Sequence, residues 1–349
     1  MIELKRDRLI FSFPEVHPGA QLDIEFQRTL RIPDDDRDYP LPPGLGRFPL
    51  RHVDDFAARV PGRWLERGGV LLPMYPSEAL WLNFKAHYVL PHQASYPFAI
   101  KVAAGKINAV TGEPYADDLV QQPQDYVVAP EQPWLDGYCV DSGMIRQFVA
   151  MTLGEGYTAE EQLSGTAEHG GLQIIAYPMK RQVFERRFPK SRMLDKLHRA
   201  FGAPDAGDEP MTMAACAPDL GLAAGGRMRQ EIYDDPFDFD DWDRDRSSRC
   251  FVHLANALVW RAITGDDPPT VPPTAKEYER AGLPWFETYG DGKPLGALDK
   301  LKKQLKSIAQ VAADKQQQPL PENEPVDVED KVITLRRGLK RGQVREGRF

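Results

Sequence analysis

Thirty-one prolines and 28 glycines are scattered through the 349 residues, and that density of punctuation holds every regular element to a short run. A helical bundle does not tolerate it. A β-rich chain does, because prolines and glycines sit at turns, edges and bulges between short strands. Hydrophobic residues make up 42% of the chain, enough for a sizeable core. The clearest strand is Leu22 to Ile32, where Leu22, Ile24, Phe26, Leu30 and Ile32 share one face with period two.

The rest of the pattern follows that lead. Residues 71–180 read as mainly β. Trp134–Val140 and Met144–Met151 flank Asp141-Ser142-Gly143, which predicts a hairpin. Thr158 to Glu161 and Thr274 to Glu277 both have capping-box spacing and predict short helices. Further helices are expected over Leu50–Val60, stopped by Pro61-Gly62, over Ser191–Gly202, and over the apolar stretch Arg249–Ile263. Leu298, Leu301, Leu305, Ile308 and Ala312 alternate three and four apart, an amphipathic stripe too short to stand alone and so bound to dock. The expected fold class is therefore α+β and β-rich. It has an antiparallel sheet or sandwich core, short peripheral helices, and a C-terminal amphipathic helix with a tail.

The expected organisation begins with residues 1–70, an N-terminal region of strands, a Pro/Gly-rich loop and a short helix that pack on the core. Residues 71–180 form the β-rich core, and 181–290 a mixed region continuous with it. Residues 291–318 supply the amphipathic helix, and 319–349 an acidic linker and basic tail.

Charge divides the chain. Residues 331–349 carry seven basic side chains against one acid, a tail of +6. The whole chain is −8, so residues 1–330 hold −14. A body this acidic repels nucleic acid, whereas the tail attracts polyanions. Cys139, Cys216 and Cys250 are an odd count without CxxC spacing, which fits buried thiols in a reducing, cytoplasmic setting. The apolar run Leu9–Phe13 is too short for a secretion signal, and no stretch has the length of a membrane span.

No complete catalytic constellation appears. Weak catalytic candidates cluster around Cys139, His169, Glu168, Asp136 and Arg146, polar groups between strands. Cys139 sits mid-strand, where no helix dipole lowers its pKa, and a packed core thiol is the plainer reading. Gly154-Glu155-Gly156 and the segment Gly221 to Arg229 resemble loops that hold anions on backbone N–H groups. Arg227 and Arg229 make the second the better candidate. Asp241, Asp243 and Asp245 open like a calcium loop, but Arg246 and Val252 stand where glycine and glutamate are needed. A solvated acidic segment over 234–245, anchored by Phe237, Phe239 and Trp242, is the plainer reading. His87 and His92, separated by Pro91, do not share a helix face, so no metal site is expected from them. No cofactor is expected.

The segments Trp134 to Tyr138, Ile145 to Met151, Leu153 to Tyr157 and Glu168 to Ile174 resemble an uncharacterised family of bacterial and fungal proteins, as do Ile107 to Pro114 and Gly282 to Phe286. The resemblance spans residues 75–290. It implies no fold, activity or catalytic residue. Some fungal members carry a ubiquitin-like segment, which implies an interaction module.

The sequence thus favours a non-enzymatic binding or self-assembly protein, with a homo-oligomer or protein partner and no membrane insertion. It would use the acidic segment 234–245, the basic residues Arg336, Arg337, Lys340 and Arg341, and the stripe Leu298, Leu301, Leu305 and Ile308. The alternatives are an enzyme with a site near Cys139 and His169, and polyanion or nucleic-acid binding by the tail, the least favoured.

Overall fold

The computed structural model describes residues 1–35, 37–190, 219–289, 295, 299–318, 320–328 and 331–336. Two sheets face each other across a shared core. The larger runs in the order Ile2–Leu4, Arg8–Ser12, Gln21–Leu30, Glu78–Ala86, Met144–Thr152, Leu220–Arg229 and Asp38–Tyr39. Gly44–Arg47, Trp134–Leu135 and Gly137–Asp141 add short pairings to it. The smaller runs Ile107–Asn108, Phe98–Ala104, Leu172–Pro178, Ser248–Ala255, Val70–Pro73 and Arg51–His52, with Val127–Ala129 beside Phe98–Ala104. Most pairings are antiparallel. Ser248–Ala255 with Val70–Pro73, and Leu220–Arg229 with Asp38–Tyr39, are parallel. The chain is β-rich α+β, as its punctuation predicts.

Leu22, Ile24, Phe26, Leu80, Leu82 and Phe148 of the larger sheet share one core cluster with Phe98, Ile100, Val102, Ile174, Val252 and Leu254 of the smaller. The period-two stripe is interrupted at Arg28, which donates from Nε to Glu78 at 2.6 Å inside the protein. Beyond it Leu30 and Ile32 enter a second cluster with Ile145, Met228, Tyr278, Trp285 and Val326.

Several local expectations hold. Gly137–Asp141 pairs with Met144–Thr152 around the Ser142-Gly143 turn, and Thr158 and Thr274 each close a capping box. Others change. Arg249–Ile263 is a strand, Ser248–Ala255, followed by a helix, Ala257–Thr264. The strand lies between two others with its residues from Val252 to Ala255 all buried, so its apolar run looks like a buried helix. Asn256 marks the boundary, its side chain accepting from the N–H groups of Leu258 and Val259. In the Leu50–Val60 segment only Asp54–Phe56 is a helical turn. The α-helix comes after Pro61, at Gly62–Arg67, with the proline as its N-cap rather than as a stop. The Ser191–Gly202 helix falls outside the described residues.

The C-terminal stripe docks, but not as one helix. Asp299–Gln304 and Ile308–Asp314 are separate, because Ser307 caps the second with its own box and bridges to Ala224. Leu301 and Leu305 join the main core, while Ile308, Val311 and Ala312 pack on Ala79, Val149 and Ala223. Val332–Arg336 then runs parallel to Trp285–Tyr289. Leu298, Arg337, Lys340 and Arg341 lie outside the described residues.

Leu220–Arg229 fits only because glycine stands at 226. A Cβ there would lie 2.3 Å from the Pro33 carbonyl oxygen. Gly226→Ala should therefore destabilise the fold by ~2–3 kcal/mol, measured by urea unfolding; an unchanged midpoint would contradict this packing.

Candidate functional site

Leu135 is buried in the main core and pairs with Leu82. Alternation along the short strand therefore sends Trp134 and Asp136 to the opposite face. Trp81 reaches that face in the same way, between the core residues Leu80 and Leu82. Asp136 is fixed at both backbone groups. Its N–H donates to Gln230 Oε1 at 2.9 Å, and its carbonyl accepts from the Phe148 N–H at 3.3 Å. The next residue must be glycine, since a Cβ on Gly137 would lie 1.9 Å from the Arg146 carbonyl oxygen.

These residues line a cleft of about 200 Å³ with Thr29, Leu41, Pro42, Gly44 and Met228. The opposing wall is held firmly. Leu41 exchanges two backbone hydrogen bonds with Phe286, at 2.7 and 3.0 Å, and the Thr29 hydroxyl donates to the Pro43 carbonyl at 2.8 Å. Among the described residues the cleft is thus two indoles and largely aliphatic surface, with one ionisable group, Asp136.

That carboxyl is only 7% exposed, and its Oδ2 has no hydrogen-bond partner. Burial pushes its pKa up to about 7, against the smaller opposing effect of a hydrogen bond from Trp134. Two other buried carboxylates on this side are fully engaged. Glu78 meets Arg28, and Asp34 meets Arg146 at 2.9 Å.

The remaining sequence candidates are placed elsewhere or already engaged. Cys139 is buried in its strand, with Sγ 3.8 Å from the Asp141 carbonyl, and burial pushes its pKa up to about 12. Its sheet neighbour is Ile145 and its N–H donates to Ala109. The hydrogen bonds of His169 and Glu168 lead instead to Glu160. The buried Glu160 carboxylate accepts from the backbone N–H groups of Glu168, His169 and Gly170, and lies 3.0 Å from His169 Nδ1. Arg67 donates to the carbonyls of both Glu168 and His169. This polar knot fixes a turn. Arg146 pairs with Asp34 and donates to the Gly225 carbonyl at 3.0 Å.

Both glycine-rich segments have other uses. The N–H groups of Gly154 and Gly156 donate to Glu161 Oε1, so the protein's own acid stands where an anion would lie. The 221–229 segment is a strand rather than a loop; Arg227 pairs with Asp38 at 3.0 Å, and Arg229 ends the strand. In the acidic segment, Asp235 accepts from Tyr126 and Trp242, and Arg187 reaches both Asp238 and Asp241. Trp242 is fully buried, with Phe237 and Phe239 half-buried beside it. Asp243 donates its N–H to Pro178, and Asp245 lies two residues on. Among the described residues, no group of three or more His, Cys, Asp or Glu is arranged to hold a metal ion. No helix of the described residues is long and apolar enough to cross a membrane.

No protein-family model, curated protein or solved structure matches the chain. The cleft therefore stands on its own chemistry. Sequence reasoning reached Asp136 but grouped it with Cys139 and His169. It missed Trp81, which only the pairing of distant strands brings beside the carboxyl.

Two outcomes follow. A carboxyl whose folded pKa lies above its unfolded value costs stability as pH rises from about 4 to 7, and the cost is complete above 7. Asp136→Asn should then stabilise the protein at pH 8 by up to about 4 kcal/mol, with the gain vanishing near pH 4; urea unfolding across pH reads this. Cys139 and Cys250, whose pKa is also pushed up to about 12, should resist iodoacetamide at pH 8 until the protein is unfolded, as peptide mapping by mass spectrometry would show.

Proposed function

We propose that the protein is a non-enzymatic binding protein whose ligand enters the cleft of Trp81, Trp134 and Asp136. The observation that carries this reading is the buried Asp136 carboxyl, whose Oδ2 has no partner in a cleft otherwise walled by indoles and aliphatic groups. A few polar groups set in an apolar concavity are the usual composition of a ligand site. An unsatisfied buried oxygen is costly to keep, by roughly 1–3 kcal/mol, unless something satisfies it.

Binding is favoured over catalysis by what surrounds the carboxyl. A pKa near 7 suits a general base, but among the described residues no nucleophile or second titratable group lines the cleft. Its one hydroxyl, on Thr29, donates to the Pro43 carbonyl. The self-assembly reading draws less support, because Arg187 already engages Asp238 and Asp241 of the acidic segment. A cytoplasmic setting remains part of the proposal, on the strength of the two buried, unpaired thiols Cys139 and Cys250.

A fragment screen followed through the indole N–H resonances tests the reading. Ligands should shift the Trp134 signal. Trp81→Leu, which removes one wall, should weaken them at least tenfold while the protein still unfolds cooperatively in urea. Hits that ignore Trp81→Leu, or shift only indoles elsewhere, would sink the cleft as the binding site.

A further inference from the structure

We infer that the cleft takes an organic ammonium group, with the Asp136 carboxylate as its counter-charge and the indoles of Trp81 and Trp134 as its walls. This deepens the cleft reading above and rests on it.

The argument starts from how this protein treats its other buried acids. Glu78 has Arg28, Asp34 has Arg146, and Asp125 has Lys101 at 2.6 Å. Glu160 collects three backbone N–H groups, and Asp219 has Arg63 at 2.7 Å together with the Trp64 indole. Among the described residues, Asp136 is the one carboxylate with a buried oxygen that has neither a hydrogen bond nor an ion pair. The group it lacks is a cation or a strong N–H donor, and an ammonium supplies both.

The walls make the same demand. Indole is the aromatic system that attracts cations best, and two indoles flank the one acid. An anion would meet like charge at Asp136, and a neutral apolar ligand would leave its Oδ2 buried without a partner. The volume fits a head group. At about 200 Å³ the cleft is smaller than the ~300–1,000 Å³ of sites for drug-sized ligands. The acidic body adds a long-range field that favours cations on approach.

Because Asp136 is the only titratable group among the described residues lining the cleft, the pH response is its own. Only the ionised carboxyl attracts the cation, and its pKa is raised by burial to about 7. Affinity should therefore rise as pH climbs through 7 and level off above 8.

The test uses the full chain and four probes: tetramethylammonium, butylammonium, choline, and 3,3-dimethylbutan-1-ol, which has the shape of choline without its charge. The Trp134 indole resonance reports binding. Choline should bind at least tenfold more tightly than the alcohol at pH 8, and about tenfold more tightly at pH 8 than at pH 6. Asp136→Asn should remove both differences. A peptide bearing lysine or trimethyllysine replaces choline in a further arm. Tighter binding of the peptide assigns the ammonium to a protein side chain; tighter binding of choline assigns it to a free amine. Alcohol and choline binding equally would overturn the ammonium assignment while the cleft stands as a site. No shift with any of these probes, while other fragments still shift the Trp134 signal, would also overturn the assignment alone. Silence from probes and fragments together would remove both.

Discussion

The buried pair of Asp34 and Arg146 lies where a loop, two central strands and a C-terminal helix converge. One Asp34 oxygen accepts from Arg146, the other accepts from the Ala309 N–H at 2.7 Å, at the start of the helix Ile308–Asp314. Arg146 also holds the Gly225 carbonyl of the next strand. Taking both charges out of water is expensive, and the pair is tolerable because these further bonds complete its coordination. The loop that begins at Pro33 departs from this anchor. It pairs Asp38–Tyr39 with Arg227–Met228, passes over the cleft at Leu41–Gly44, and returns to pair with Gln21–Leu30. The ion pair thus sets where this segment starts, and the bonds of Leu41 to Phe286 and of Thr29 to Pro43 hold it over the cleft.

The C-terminal segment completes the same face. Arg31, almost fully buried, donates to the Pro76 carbonyl and to Asn323, while Leu41 joins Phe286 through two backbone bonds. Tyr157 bonds Gln317, and Lys300 meets Glu113 at 2.6 Å. Packing alone would let such short helices slide, since each is too short to hold its own register. Directional polar contacts at defined points set where they sit.

Much of the fold was legible because it depends on neighbours in sequence. Period two from Leu22, the Ser142-Gly143 turn and the boxes opened by Thr158 and Thr274 are all local signals, and each appears where its spacing puts it. The misreadings have two sources. Ser248–Ala255 is set by the strands packed on either side, and an apolar run carries no mark of whether sheet or helix will cover it. The break at Ser307 and the helix after Pro61 instead follow local caps that the apolar stripe outweighed. The cleft was half legible. Trp134 and Asp136 share a strand face by their spacing, but Trp81 and Leu41 arrive through pairings with no trace in local sequence.

The density of polar residues around 160–170 shows why composition misleads about function. Glu160, Glu168, His169 and Arg67 look reactive as a group, yet their hydrogen bonds are spent on backbone. The Glu160 carboxylate stabilises the turn by accepting the N–H groups of Glu168, His169 and Gly170, which would otherwise be left to be satisfied. A polar group that has completed its bonds within the fold has little left to offer a ligand. By that criterion Asp136 is distinguished among the buried acids less by its surroundings in sequence than by the bond it does not make. Its backbone is pinned by Gln230 and Phe148 and its side chain accepts from Trp134, which holds the carboxyl in place while Oδ2 stays unpartnered. The same restraint that makes the carboxyl costly to bury keeps it pre-organised, so that a partner arriving from outside gains its full interaction without first ordering the site.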